Sequence, residues 1–192
     1  MVEKAAGNYQ RPKGKLWVMI VGGSSRSHPY TESDWGNLAS GMNELARRLG
    51  IRWLLTTSRR TGKATELVLE KNLDKEFLAD AIWWADKPER RMMAFLGSSE
   101  RAFVTQDSVT MVTECVASGK PTVVLQPRDE TFPKNSFMPR YLENLEEKNR
   151  IVRLPIARLA QFQNPTEPRA TLLPIEFEMA KDLRARLGLN DA

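Results

Sequence analysis

The sequence predicts a doubly wound α/β domain built on a mostly parallel sheet of five or six strands. Short apolar runs recur along the chain and end in Gly, Ser, Thr or Asp. Between them lie stretches of about 10–17 residues with helical apolar spacing. The chain carries no internal repeat. Parallel strands buried on both faces read as unbroken apolar runs, and each needs a crossover to the next.

Taken in order, "KLWVMIVGGSS" reads as a strand leaving through a glycine turn, and "TESDWGNLASGMNELARRLG" as a helix. Thr31 and Asp34 have capping-box spacing, with Asp in place of the usual Glu. Leu38, Met42, Leu45 and Leu49 fall on one helical face, and Gly50 stops the helix. "IRWLLTTSRR" is a second strand and "ATELVLEKNL" a second helix. "AIWWAD" reads as a third strand, "PERRMMAFLGSS" as a short helix and "RAFVT" as a fourth strand. "SVTMVTECVASG" is a helix with Val112, Cys115, Val116 and Gly119 facing inward, followed by the strand "PTVVLQP". "RYLENLEEKN", "RIVRL" and "PIEFEMAKDLRARLG" give a helix, a last strand and a closing helix. Gln161 to Thr171 is a surface connection. Residues 1–14 are expected to be a flexible segment, with 15–192 a single Rossmann-like lobe.

Composition narrows the function classes. The chain has 192 residues, 41% hydrophobic and 28% charged, with a net charge of +5 spread along its length. That charge suits an anionic small ligand, and no basic run with interleaved aromatics calls for nucleic acid. One cysteine excludes an internal disulfide and one histidine excludes a Cys/His metal site. No apolar run is long enough for a membrane span, and "MVEKAAGNYQRPKGK" is too polar for a signal peptide. The cytoplasm, or the cytoplasmic face of a membrane with peripheral contact, is the expected location.

Ligands of open α/β sheets sit beyond the carboxyl ends of the strands. Three strand exits carry chemistry there. Gly22 and Gly23 allow close backbone approach, and Ser24 and Ser25 add hydroxyls. Ser58-Arg59-Arg60-Thr61 offers two guanidiniums, either for a phosphate or for solvated surface pairs. Gly62-Lys63 lacks the upstream glycine of a Walker motif. Asp107 or Ser108 caps the fourth helix, whose tip is an anion site through its free amides and dipole. Glu114 returns close to the face of residue 107, placed for a ribose hydroxyl or simply solvated. No Asp-x-Asp pair offers to hold a metal–diphosphate, so neither metal nor cofactor is expected. His28 is the lone imidazole, in a loop that reads as exposed. Trp83 and Trp84 read as core. The loop Arg128 to Phe137 reads as a hydrophilic surface loop, or could reach a ligand through Asp129, Glu130, Lys134 or Asn135.

"GKLWVMIVGGSS", "LLTTSRRTG" and "FVTQDSVTMVTECVASGKPTVVLQP" resemble the mitochondrial fission family named for elongated mitochondria, a group of candidate glycosyltransferases. The stretch Ser108 to Pro127 is similar, more distantly, to the nucleotide-binding lobe of the glycosyltransferase that completes lipid II. The resemblance implies the C-terminal donor lobe of a GT-B enzyme. Glu114 would take the ribose hydroxyls, and Ser108, Val109 and Thr110 would offer donors to the diphosphate. Gly22 to Ser25 would approach the phosphates from the first strand. Thr110 and Cys115 depart mildly from the family pattern, and the acceptor lobe of such enzymes is expected to be absent from this chain. The expected function is therefore nucleotide-sugar binding, with sugar transfer completed by a second lobe, a partner chain or a homo-oligomer. The rivals are a non-catalytic adaptor at a membrane surface and a protein resembling a nucleotide-sugar epimerase.

Overall fold

The computed structural model describes residues 9–163 and 175–187. Its six strands form one parallel sheet: β1 (Leu16–Val21), β2 (Arg52–Thr57), β3 (Leu78–Ile82), β4 (Arg101–Thr105), β5 (Thr122–Gln126) and β6 (Ile151–Pro155). Their order is β3-β2-β1-β4-β5-β6. This is the doubly wound arrangement, with the order reversing between β1 and β4.

Period-two alternation sends successive β1 side chains to opposite layers. Trp17, Met19 and Val21 join the core beneath α1 (Glu32–Leu49), α2 (Gly62–Asn72) and the 3-10 segment Ile156–Gln161. Leu16, Val18 and Ile20 join the core beneath α3 (Met92–Ser98), α4 (Val109–Ala117) and α5 (Met138–Glu147). In the first layer Trp17 stacks on Phe103 at 5.5 Å, and the Trp53 indole donates to the Met42 carbonyl at 3.0 Å. A buried indole N–H without a partner would oppose burial of the ring, so this bond lets Trp53 fill the core.

The α1 capping box forms as its spacing predicts, and Gly50 ends the helix at φ 63°. A closing helix, α6, spans Ile175–Arg186. Most of the Gln161–Thr171 connection lies outside the described residues. Of the N-terminal segment expected to be flexible, Tyr9 packs on the second core and donates to Asp80 at 2.6 Å, and Arg11 Nε donates to the Ser98 carbonyl.

Three expectations need correction. The third strand is Leu78–Ile82, earlier than "AIWWAD" suggests, because the Trp84 and Ala85 amides are drawn off to side chains. The short helix starts only at Met92, beyond the Pro88 turn region. Gly119 is not on the inward helix face; it sits past the end of α4 at φ 75°, a left-handed turn position.

Candidate functional site

Because β1, β2 and β4 are parallel and in register, their exits share one rim. There the four residues Thr105–Ser108 are divided among different tasks. The Gly22 amide donates to Thr105 Oγ1 at 2.7 Å, and the Thr105 hydroxyl donates to Asp107 Oδ1 at 2.7 Å. The Tyr30 phenol reaches the same oxygen at 3.4 Å. Asp107 Oδ2 accepts from the Gly23 amide at 3.1 Å and from Arg60 Nη2 at 2.6 Å. A carboxylate offers about four acceptor positions, so Asp107 is filled by the protein itself. Its side chain is fully buried. Burial, reinforced by the Asp107 charge, holds the Tyr30 phenol well above its ordinary pKa. Thr61 closes the arrangement, with its hydroxyl 2.6 Å from the Gly22 carbonyl while it accepts from the Ser58 amide at 2.9 Å.

This latch explains the glycine pair. A Cβ on Gly23 would stand 2.0 Å from the Arg60 carbonyl oxygen, and one on Gly22 would stand 2.2 Å from Asp107 Oδ2. Neither glycine has a positive φ, so space rather than conformation demands the missing side chain. Gly22 to Ser25, which the resemblance implies approach a phosphate, are here engaged by other groups of the protein. Both glycine amides are bonded to the β4 exit. The Ser24 hydroxyl donates to the Tyr30 carbonyl, and Ser25 Oγ accepts from the His28 amide. The arginine pair also divides: Arg60 faces Asp107, while Arg59 turns to a cleft. Asp107 does not cap α4; Ser108 does, accepting from the Met111 amide. The first amides of α4, at Val109 and Thr110, have no helical carbonyl to reach.

The cleft lies beside the latch on the α3/α4 face and encloses about 400 Å³. Ile20 and Thr56 lie at its base, with Thr57, Ser58 and Arg59 from the β2 exit. Glu114 and Met111 come from α4, and Met92 and Met93 from α3. Trp84, Glu89 and Arg90 supply a wall from the segment after β3. Desolvation raises the Glu114 carboxyl above the ordinary carboxylate range. The wall is anchored from beneath. Glu66, fully buried, accepts from the Thr57 hydroxyl at 2.5 Å and from the Ala85 amide at 3.1 Å, and Thr57 Oγ1 accepts from the Trp84 amide at 2.8 Å.

Sequence reasoning brought Ser58, Arg59 and Glu114 to this place but missed Trp84, Arg90 and the methionines. Only the Trp-Trp doublet signalled the wall, and its β propensity made it read as strand and core. Trp83 does pack against the core, whereas Trp84 lines the cleft. His28 reverses expectation too, being only 1% exposed. Its Nε2 lies 3.3 Å from Gln106 Nε2, and its ring meets Phe132 edge-on. Burial lowers its pKa, partly offset by the Asp107 and Glu130 carboxylates. Held between Gln106 and Phe132, the imidazole is a buried strut. Among the described residues no cluster of His, Cys, Asp and Glu is built to hold a metal, and no helix is long and apolar enough to cross a membrane.

The fold and site define an α/β domain of the doubly wound class, with a polar-lipped cleft beside the exits of β1 and β2. Residues 2–186 match the family described as Mitochondrial fission ELM1, and the chain belongs to that family. No curated protein matches the chain significantly. Among solved structures it is similar to the S. aureus MnaA-UDP co-structure, at 13% identity and a TM-score of 0.42, covering 98% of this chain and 49% of that one. It is also similar to a candidate UDP-N-acetylglucosamine 2-epimerase from Listeria monocytogenes, at 19% identity and a TM-score of 0.38, covering 93% of this chain and 46% of the other. The chain spans about half the length of each.

Proposed function

We propose that this chain is a nucleotide-sugar-binding lobe that takes a nucleoside diphosphate in the cleft between Trp84, Arg59 and Glu114. The observation that carries the reading is that a guanidinium from the β2 exit and a carboxylate from α4 line one cleft of about 400 Å³ together with an indole. Small-ligand sites are concave, mostly apolar and supplied with a few convergent polar groups, in the range ~300–1,000 Å³. Trp84 and the methionines suit a flat base. Glu114, once ionised, suits ribose hydroxyls. Arg59, with the free amides and dipole of the α4 tip at Val109 and Thr110, suits the diphosphate. If a sugar is transferred, these same groups stabilise the departing diphosphate without a metal. On this reading Gly22, Gly23, Arg60, Thr61 and Asp107 position the rim and touch no ligand. Ser24 and Ser25 stay in the loop beside it. The acceptor half would come from a second lobe or a partner chain.

Titration calorimetry with UDP, GDP and ADP and their sugars tests the reading. Glu114→Ala should weaken binding ~10–100-fold, because a hydrogen bond to a charged group contributes about 1.5–3 kcal/mol. Arg59→Ala should weaken the diphosphates but leave the nucleosides nearly unchanged. The reading fails if no nucleotide binds folded protein at ~1 mM, or if both variants bind like the wild type.

A further inference from the structure

A second cleft, of about 410 Å³, opens on the same rim but on the α1 side of the sheet, over the exits of β5 and β6. Its polar groups come from separate elements: Asn37 and Asp34 from α1, Gln126 from the end of β5, and Arg128 and Glu130 from the loop that follows. Pro155 and Ile156 supply an apolar wall.

The chemistry of this lining argues against an anion. One arginine faces two carboxylates, and Arg128 also stands 3.6 Å from Asp129. An anion would meet a net negative lip. The nearby α1 tip gives no compensation, since Glu32 and Asp34 already sit in its first turn and Thr31 closes its capping box. With Asp34 buried and bonded to Thr31, what remains is an amide pair and the Glu130 carboxylate that accept from hydroxyls, one guanidinium that donates, and a Pro/Ile surface for C–H faces. Hydroxyls both donate and accept, so a neutral ring bearing several of them can satisfy this set at once.

The acid that matters most is held in place. Gln106 is wholly buried, and its amide donates to Glu130 Oε2. Gln106 Nε2 also faces His28, while the Thr131 amide donates to the Ser27 carbonyl at 3.0 Å, so the loop after β5 is stapled to the loop after β1. Gln106 Oε1 has no hydrogen-bond partner among the described residues. A surface acid fixed by a buried amide is pre-organised, which lowers the cost of ordering it around a ligand. We propose that this second cleft is a carbohydrate site, taking a neutral polyhydroxyl ring as a ligand separate from the nucleotide. The site stands on its own lining; on the donor-lobe reading its occupant would be the sugar acceptor.

Saturation-transfer NMR on the full chain, with N-acetylglucosamine, glucose, galactose and mannose at ~10 mM, tests it. At least one sugar should show transfer. Asn37→Ala, an exposed helix position that should not disturb folding, and Glu130→Ala should each weaken that sugar about fivefold or more. Saturating UDP and inorganic phosphate should not displace it. The proposal is overturned if none of the sugars shows transfer, if binding survives both variants, or if UDP or phosphate competes. Should UDP bind nowhere while a sugar still binds here, the nucleotide reading falls alone.

Discussion

Gly23→Ala separates two reasons for a glycine pair at a strand exit. If Gly23 serves only to let a phosphate approach the backbone, the substitution leaves the ligand-free protein as stable as before. The structure points the other way. The new Cβ would lie 2.0 Å from the Arg60 carbonyl oxygen, 2.3 Å from its carbon and 2.8 Å from the Thr61 nitrogen. All three are backbone atoms, so no flexible side chain can swing aside. Restoring ordinary contact, which begins near 3.4 Å, requires the β1 and β2 exits to part by about 1.4 Å. That movement pulls on the 3.1 Å bond from the Gly23 amide to Asp107 and on the 2.6 Å bond from Thr61 to Gly22. Overpacking costs roughly 1–3 kcal/mol and a lost bond to a charged acceptor about 1.5–3 kcal/mol, so a loss of ~3–5 kcal/mol is expected. At ~2–4 °C per kcal/mol for a chain of this size, Tm falls by roughly 10 °C. Urea and thermal melts of ligand-free protein read the effect. Gly36→Ala is the control: a Cβ there meets nothing within 4 Å, and Gly36 lies inside α1, so a gain of up to ~1 kcal/mol is expected. A Gly23→Ala protein melting within ~0.5 kcal/mol of the wild type would refute the close-packing argument.

Thr57→Val keeps the shape but removes the hydroxyl that joins Glu66 to the Trp84 amide, leaving both under-satisfied; urea melts should show a loss of ~1–3 kcal/mol, with weaker UDP binding in calorimetry as the wall loosens. Glu114 has its pKa raised by burial, so UDP affinity should rise with pH through that elevated pKa and then level off. Subtracting the pH profile of Glu114→Gln removes the titration of the phosphate itself, and a flat difference would count against the ribose contact. His28 has a folded-state pKa below its ordinary 6.5, so on acidification the unfolded chain takes the proton first. Its contribution to stability is complete above pH 6.5 and is lost as pH falls toward the lowered value, at no more than ~1.4 kcal/mol per pH unit. Melts of wild type and His28→Gln should differ in slope in that window, and equal slopes would place the imidazole in contact with solvent.

The sheet was legible because buried parallel strands announce themselves as unbroken apolar runs, and all six residues of Leu16–Val21 are indeed buried. Helix α1 was legible from local chemistry alone, through Thr31, Asp34 and Gly50. The third strand was not. Trp83 and Trp84 favour extended structure, but a buried Glu66 eighteen residues upstream of Trp84 captures the following amide, and nothing in local pattern reports a partner at that distance. His28 failed for the same reason. "SRSHPYTES" looks solvated, and its burial depends on Gln106 and Phe132, which are remote in sequence.

The four residues after β4 show why the site was only half readable. Composition alone marked Asp107 and Ser108 as polar groups at a helix start, with either able to cap. Which one caps, and what the other does, depends on neighbours brought by different strands. Ser108 can cap because its hydroxyl needs a single donor, supplied by Met111. On the proposed nucleotide reading, a free Asp107 carboxylate would oppose an incoming diphosphate by its charge. Arg60 and the amide of Gly23 occupy that carboxylate instead, and the occupation pulls Arg60 away from its neighbour. Arg59 then remains at the cleft with Glu114. Gln106, one residue earlier, reaches Glu130 on the other side of the rim. A single strand exit therefore fixes both clefts, and replacing Asp107 should disturb the first through Arg60 while leaving the second to Gln106. Asp107→Asn, measured against UDP and against the sugars in the same sample, should weaken the nucleotide alone; equal loss of both ligands would mean that the rim moves as one body and that the division of labour along Thr105–Ser108 is not real.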